Sequence, residues 1–143
     1  MRLECRVTGG DFQAAGEAAA RVKRALRQVG VDPETARRAA IVAYEAEMNI
    51  VIHASRGILA VDISPDRIEV AADDEGPGIP DISLAMQEGY STAPEHVREM
   101  GFGAGLGLPN MKRYSDQFHI ESTVGRGTSV RMVINLPSKG SLP

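Results

Sequence analysis

The alternation of apolar and polar positions divides this chain into two helical stretches followed by strands, a glycine-rich interval, one more helix and a closing hairpin. Residues 2–7 alternate as a short strand that Gly9-Gly10 breaks. Ala15, Ala19, Val22, Leu26 and Val29 then recur at helical spacing, with Asp11 placed to cap the helix and Gly30 to end it. Arg21, Lys23, Arg24 and Arg27 fall largely on the opposite side, the pattern of a solvated face. A second helix starts sharply. Asp32 is its N-cap, Pro33 takes the first helical position, and Glu34 lies near the positive end of the dipole. It runs to about Ala54, and from Ile41 onward it is apolar on most sides, as a helix inside a protein must be. Its polar exceptions are Glu45, Glu47, Asn49 and His53.

Strand patterns follow at 58–63 and 68–72, joined by the turn Ser64-Pro65-Asp66-Arg67. Leu106, Leu108, Met111 and Tyr114 predict a helix after the glycines, and 118–124 with 128–136 predict a hairpin around Gly125-Arg126-Gly127. Grouped helices and antiparallel strands, without strict βαβ alternation, give an α+β fold class: a two-layer α/β sandwich with a mixed, mostly antiparallel sheet covered by helices on one face. The expected organisation is one domain over 1–137 and a flexible tail at 138–143.

Composition narrows the function. The 143 residues are 43% hydrophobic, enough for one core, and carry a net charge of -3 with three Tyr and three Phe. That balance argues against nucleic acid, which calls for a basic stripe and stacking aromatics. No apolar run reaches the ~20 residues of a membrane span and no signal peptide is evident, so a cytoplasmic location without a membrane partner is expected. Cys5 stands alone and reads as a small buried hydrophobe, with a reactive thiol as the alternative.

The candidate chemistry sits in three places. Glu45 and Asn49 leave one face of the second helix a turn apart, and an unpaired carboxylate there is costly unless a structural partner, a metal ion or a catalytic role compensates it. An Asn carbonyl suits Mg²⁺, which takes few protein oxygens alongside phosphates, and a neighbouring carboxylate can deprotonate a hydroxyl. Glu47 points elsewhere and reads as a solvated or salt-bridged residue; His53 reads as a packing or capping residue. Asp74, with Gly76 and Gly78, fits either a tight turn or the floor of a pocket that accepts a hydrogen bond from an exocyclic amine. Gly101, Gly103, Gly105 and Gly107 fit either a linker or a loop whose N–H groups face an anion at a helix start. The loop is not a P-loop, since Pro109-Asn110-Met111 follows instead of Gly-Lys-Ser/Thr.

Glu45-x-x-x-Asn49, Asp74-x-Gly76-x-Gly78 and Gly103-Ala104-Gly105-Leu106-Gly107, in this order, resemble the N, G1 and G2 boxes of the GHKL (Bergerat-fold, histidine-kinase-like) ATPases, over residues 43–136. Within that superfamily, residues 72–82, Gly89-Tyr90-Ser91-Thr92 and Leu108-Pro109-Asn110-Met111-Lys112-Arg113 resemble the anti-sigma factor and stressosome switch serine/threonine kinases of bacterial partner-switching systems. The resemblance implies ATP and Mg²⁺ as cofactors, with Asn49 on the metal and Glu45 as general base. It implies that Asp74 binds the adenine amine in a pocket shaped by Gly76 and Gly78, with Thr128 assisting through water. Gly103, Gly105, Leu106 and Gly107 would wrap the phosphates, residues 91–102 would form the lid, and Arg98 would contact the γ-phosphate.

The implied function is transfer of the ATP γ-phosphate to a Ser or Thr of a STAS-domain protein; the alternative is an anti-sigma factor that sequesters a sigma factor or regulator according to nucleotide state. Further partners it implies are a downstream phosphatase and a second copy of the chain in a homodimer. A detached histidine-kinase ATP-binding domain fits less well, because no dimerisation helices with a phosphoacceptor His accompany His53, His96 and His119. Two departures from the family pattern are the long stretch 94–102 and Glu47, which bears on the charge of the site.

Overall fold

The computed structural model describes residues 1–87, 95 and 107–137. Arg98, Gly103, Gly105, Leu106, the proposed lid apart from residue 95, and the tail at 138–143 lie outside the described residues.

Five strands form one sheet: β1 (Arg2–Thr8), β2 (Arg56–Ile63), β3 (Arg67–Glu75), β4 (Gln117–Thr123) and β5 (Gly127–Asn135), in the order β1-β2-β3-β5-β4. Every described pairing is antiparallel, so the mostly antiparallel sheet read from the sequence has no parallel ladder among the described residues. Helices α1 (Glu17–Gln28), α2 (Pro33–His53) and α4 (Gly107–Arg113) pack against it, and α3 (Ile82–Ala85) is a single turn.

Register builds the core row by row, because every second residue of a strand faces the helices. Leu3, Val61, Val70, Met132 and Phe118 stand opposite one another across the five strands, and Cys5, Leu59, Ala72, Val130 and Ile120 make the next row. The alternate positions Arg2, Glu4 and Arg6 are exposed. A one-residue slip would exchange these sets, which is why the register is firmly specified. Cys5 is buried, its thiol pushed up by that burial, and Arg21 Nη1 lies 3.5 Å from its sulfur; this fits the packing role expected of it.

The start of α2 follows the sequence. Asp32 accepts from the Thr35 amide at 3.0 Å and from the Thr35 hydroxyl at 2.9 Å, and these bonds hold its carboxyl below the usual range. Val42, Ala43, Ala46, Met48, Ile50 and Val51 are all buried, so the helix runs through the interior with both sides covered.

The start of α1 does not. Asp11 accepts only from Ala14, at 3.3 Å, within the preceding turn, and the helix begins at Glu17 with Gly16 as its N-cap. No side chain of its own segment caps it. The cap comes from α2: Glu47 Oε2 accepts from Gly16 N at 3.0 Å and Ala18 N at 3.2 Å, and Oε1 accepts from Ala19 N at 3.0 Å. Glu47 is therefore 2% exposed and neither solvated nor paired with a basic side chain. The correction has a simple reason: a helix N-terminus supplies several unpaired N–H groups and a positive dipole end, which together compensate a buried carboxylate. At the other end of α1, Val31 N reaches Leu26 O and Gly30 N reaches Arg27 O, the paired bonds of a Schellman stop.

Helix α4 is fixed to α2 by Arg38, whose Nε donates to Tyr114 O at 3.2 Å and whose Nη2 lies 3.2 Å from Asp116 Oδ1. Asp116 Oδ2 in turn accepts from Asn135 N at 2.7 Å. The turn between α4 and β4 is thus tied to both layers.

Candidate functional site

The third inward row of the sheet changes character. Continuing past Cys5 and Leu59, it reads Val7, Gly57 and Asp74, while the β4–β5 hairpin adds Thr128 opposite Ser122. Polar groups therefore replace apolar ones at the edge of the core, where β3 and β5 leave the sheet. Thr128 N donates to Asp74 Oδ1 at 3.0 Å, and Thr128 is buried. Burial pushes the Asp74 carboxyl up, and the Thr128 amide partly opposes that shift. The second carboxylate oxygen, Oδ2, makes no hydrogen bond among the described residues.

The loop after Asp74 is held by the tip of the hairpin. Gly76 N donates to Arg126 O at 3.0 Å, Gly125 N to Pro77 O at 2.8 Å, and Ile79 N to Ser122 Oγ at 2.7 Å. The approach is close enough to require glycine at two positions. A Cβ at Gly127 would stand 2.0 Å from Asp74 O, and one at Gly78, whose φ is 76°, would stand 2.4 Å from Thr123 O. Gly78→Ala should cost about 2 kcal/mol or more, combining left-handed strain with a backbone clash. Urea unfolding checks this, and a loss under about 0.5 kcal/mol would show that the hairpin tip yields freely.

Helix α2 forms the other wall. Ala54, its C-cap, touches the loop: a Cβ at Gly76 would lie 3.0 Å from Ala54 Cα. Two and a half turns earlier, Glu45 Oε2 would be 3.3 Å from a Cβ at Gly107, so the helix meets the end of the second glycine cluster there. At 1.5 Å per residue these two contacts are roughly 14 Å apart along α2. That separation suits a ligand with a base at one end and phosphates at the other. Asn49 and Glu45 lie between the contacts or at one of them, both half-buried.

Three polar side chains on one buried stretch of α2 thus have different fates. Glu47 is satisfied by three backbone N–H groups. Among the described residues, Glu45 and Asn49 make no side-chain hydrogen bond or ion pair, and no fully buried side-chain polar atom lacks a partner. Their polar atoms consequently reach solvent, where a ligand can reach them. Burial alone pushes the Glu45 carboxyl up and the His53 imidazole down, which leaves His53 neutral near pH 7. No group of three or more His, Cys, Asp or Glu side chains gathers to hold a metal among the described residues. The Asn49 amide oxygen is a donor of the kind Mg²⁺ accepts alongside phosphate oxygens.

Of the residues read from the sequence, the structure joins Asp74 to Thr128, the Gly76–Gly78 loop to the hairpin, and Glu45 to Gly107. Sequence reasoning missed Ser122. Its signal was available: two residues beyond Ile120 in an alternating strand, it shares the inward face and stands opposite Thr128. The residue carries no motif, so only its register reveals it.

Comparison with known proteins bears on the family and the fold. The model of the histidine kinase-like ATPase domain matches residues 11–134. The serine/threonine-protein kinase RsbT of Bacillus subtilis (strain 168) is 36% identical over 93 residues, 62% of this chain and 64% of that protein. An anti-sigma F factor of Thermoanaerobacter sp. (strain X514) is 40% identical over 93 residues, 62% of each chain, so these matched regions span just under two thirds of both relatives. The anti-sigma F factor of Pasteuria penetrans is 35% identical over 129 residues, covering 84% of this chain and 83% of that one. Among solved structures, one from the SiaB-SiaC complex of Pseudomonas aeruginosa shares the fold with a TM-score of 0.64 at 18% identity, covering 92% of this chain and 89% of its counterpart. Sheet, helices, motif order and family match converge, and the chain belongs to the histidine kinase-like ATPase domain family.

Proposed function

We propose that the protein is a serine/threonine protein kinase of a partner-switching system, which transfers the γ-phosphate of Mg-ATP to a Ser or Thr hydroxyl of a STAS-domain protein. The observation that carries this reading is that Glu45 and Asn49 have no side-chain partner among the described residues, on a helix where Glu47 between them is fully satisfied. Asp74 Oδ2 would accept from the adenine amine, and Gly76 and Gly78 would let the base lie against backbone. Asn49 would hold the metal ion through its amide oxygen; when bound, that ion offsets the negative charge of the phosphates.

In the transfer, the substrate hydroxyl oxygen forms a bond to the γ-phosphorus as the bond from that phosphorus to the β–γ bridging oxygen breaks. ADP leaves, and Glu45 takes the hydroxyl proton. Gly103, Gly105, Leu106 and Gly107 would wrap the phosphates, with Arg98 reaching the γ-phosphate. The similarity to the protein named serine/threonine-protein kinase RsbT supports this reading of the reaction.

A second reading has its own support in the relatives named anti-sigma F factor, one of which aligns over 84% of this chain: nucleotide-dependent capture of a sigma factor. Incubation with ATP labelled at the γ-phosphate and candidate STAS-domain proteins separates the two. Label should pass to a Ser or Thr, and Asn49→Ala should reduce that transfer by at least about 100-fold. Failure of transfer to every candidate, together with a sigma-factor complex sensitive to ADP versus ATP, would favour capture as the activity.

A further inference from the structure

Ser122 lies at a junction of three contacts that the nucleotide-binding motifs do not include. Its Oγ accepts from Ile79 N at 2.7 Å, stands 2.9 Å from Thr128 Oγ1, and lies 3.2 Å from Gly127 O. A serine hydroxyl has one proton and two lone pairs. The Ile79 amide can only donate, so it occupies a lone pair. The single proton then has two destinations, Thr128 Oγ1 or Gly127 O, and the shorter contact is to Thr128.

We propose that Ser122 is a positioning residue that orders a one-way row of donors, from the Ile79 amide through its own hydroxyl to the Thr128 hydroxyl, and so presents the Thr128 proton to an unprotonated ring nitrogen of the bound purine. The proposal rests on the reading that Asp74 holds the base, and it extends that reading to the choice among bases. When Ser122 donates to Thr128, the Thr128 proton is free to enter the pocket, directly or through one water. Adenine offers a bare N1 next to its 6-amino group. The amine meets Asp74 Oδ2, an acceptor, and N1 meets a donor. Guanine and hypoxanthine carry a proton at N1 and an oxygen at C6, so both contacts would be mismatched. An N1–H would point at the Thr128 proton across the same contact, and relieving that clash by turning the Thr128 proton back to Ser122 would move the Ser122 proton to the longer contact with Gly127 O. A site organised to hydrogen-bond in one sense penalises a ligand with the opposite sense more than it rewards the correct one.

The arrangement also joins base recognition to the shape of the loop. Ile79 directly follows Gly78, so the row of donors starts within the segment that the hairpin tip clamps. Thr128 completes the circuit through its own amide, which binds Asp74 Oδ1. Both base-facing groups are therefore oriented from the same hairpin.

The test is calorimetric binding of ATP, 1-deaza-ATP, which lacks N1, and purine riboside triphosphate, which lacks the 6-amino group. Each is titrated with Mg²⁺ into the full chain and into Ser122→Ala. Ser122→Cys, which keeps the volume and donates weakly, gives the same readout if the alanine variant folds poorly. The wild type should bind ATP about 3- to 10-fold tighter than 1-deaza-ATP. The variants should lose most of that preference while keeping the preference of ATP over purine riboside triphosphate. A purely structural role would weaken ATP and 1-deaza-ATP equally and leave their ratio intact, and that result would overturn the proposal. A wild type that does not distinguish ATP from 1-deaza-ATP would overturn it as well, with Asp74 still holding the amine. A wild type indifferent to the 6-amino group would instead remove the placement of the base at Asp74, and the proposal with it.

Discussion

Glu47→Ala should destabilise the protein by about 3–5 kcal/mol while leaving the nucleotide groups untouched. The carboxylate accepts from Gly16, Ala18 and Ala19 while 2% exposed, so its removal leaves three backbone donors at the start of α1 without their charged acceptor. An ordinary N-cap is worth about 1 kcal/mol, but that figure applies to one side-chain oxygen at an exposed helix end. Here both oxygens are used and the acceptor is charged, which roughly doubles the strength of each bond. Against a total stability of about 5–15 kcal/mol, such a loss leaves the fold marginal.

Glu47→Gln sharpens the test. It keeps the shape but turns an NH₂ group toward N–H donors, so it should recover little of the loss. Urea unfolding followed by circular dichroism measures both variants. A Glu47→Ala cost below about 1 kcal/mol would mean that the burial of the charge offsets nearly all that its hydrogen bonds contribute.

Glu45→Gln should do the opposite to stability and far more to activity. Phosphoryl transfer should fall by about 10²–10⁴-fold, the usual range for loss of a positioned general base, while Mg-ATP still binds. Stability should rise. Burial raises the Glu45 carboxyl above its unfolded value, so the folded state holds a proton that the unfolded state releases at the same pH. Stability attributable to this group is therefore greatest below the unfolded value and falls as pH rises through the window up to the folded one. Wherever the carboxylate is ionised, its desolvation is a cost that the neutral amide removes.

The same shift fixes the pH dependence of transfer. In its proposed role as base Glu45 acts only when deprotonated, so kcat/KM should decline on the acid side with a limb above the ordinary carboxylate range, and Glu45→Gln should abolish that limb. Full transfer in Glu45→Gln would assign the residue to positioning or charge rather than to proton removal.

The contrast between these two glutamates, two residues apart on α2, marks what was legible. The order of elements came from periodicity, and α2 in particular came from Asp32, Pro33 and a run that is apolar on most sides. The motif order pointed to a nucleotide before any geometry was known. The fate of Glu47 was not legible, because its partners lie about 30 positions earlier in the chain and are backbone groups that carry no residue identity. A capping rule that looks for a side chain within the same turn selects Asp11 and starts α1 too early. Ser122 was hidden for a related reason: a lone serine in a strand is chemically silent until the register sets it against Thr128 and Ile79.

The sequence by itself determined the order of the elements, the alternation that gives the sheet one apolar face, and the residue types able to bind a base, phosphates and a metal ion. Those follow from spacing, since period and side-chain chemistry are local properties of the chain. Only the tertiary structure decided which polar groups are already satisfied. Whether a carboxylate on α2 caps a helix or stays free for a ligand depends on which unpaired backbone donors the fold brings to it, and that is a property of contacts distant in sequence. Glu47 meets the start of α1 and is used up. Glu45, two residues earlier, turns toward Gly107 and remains available.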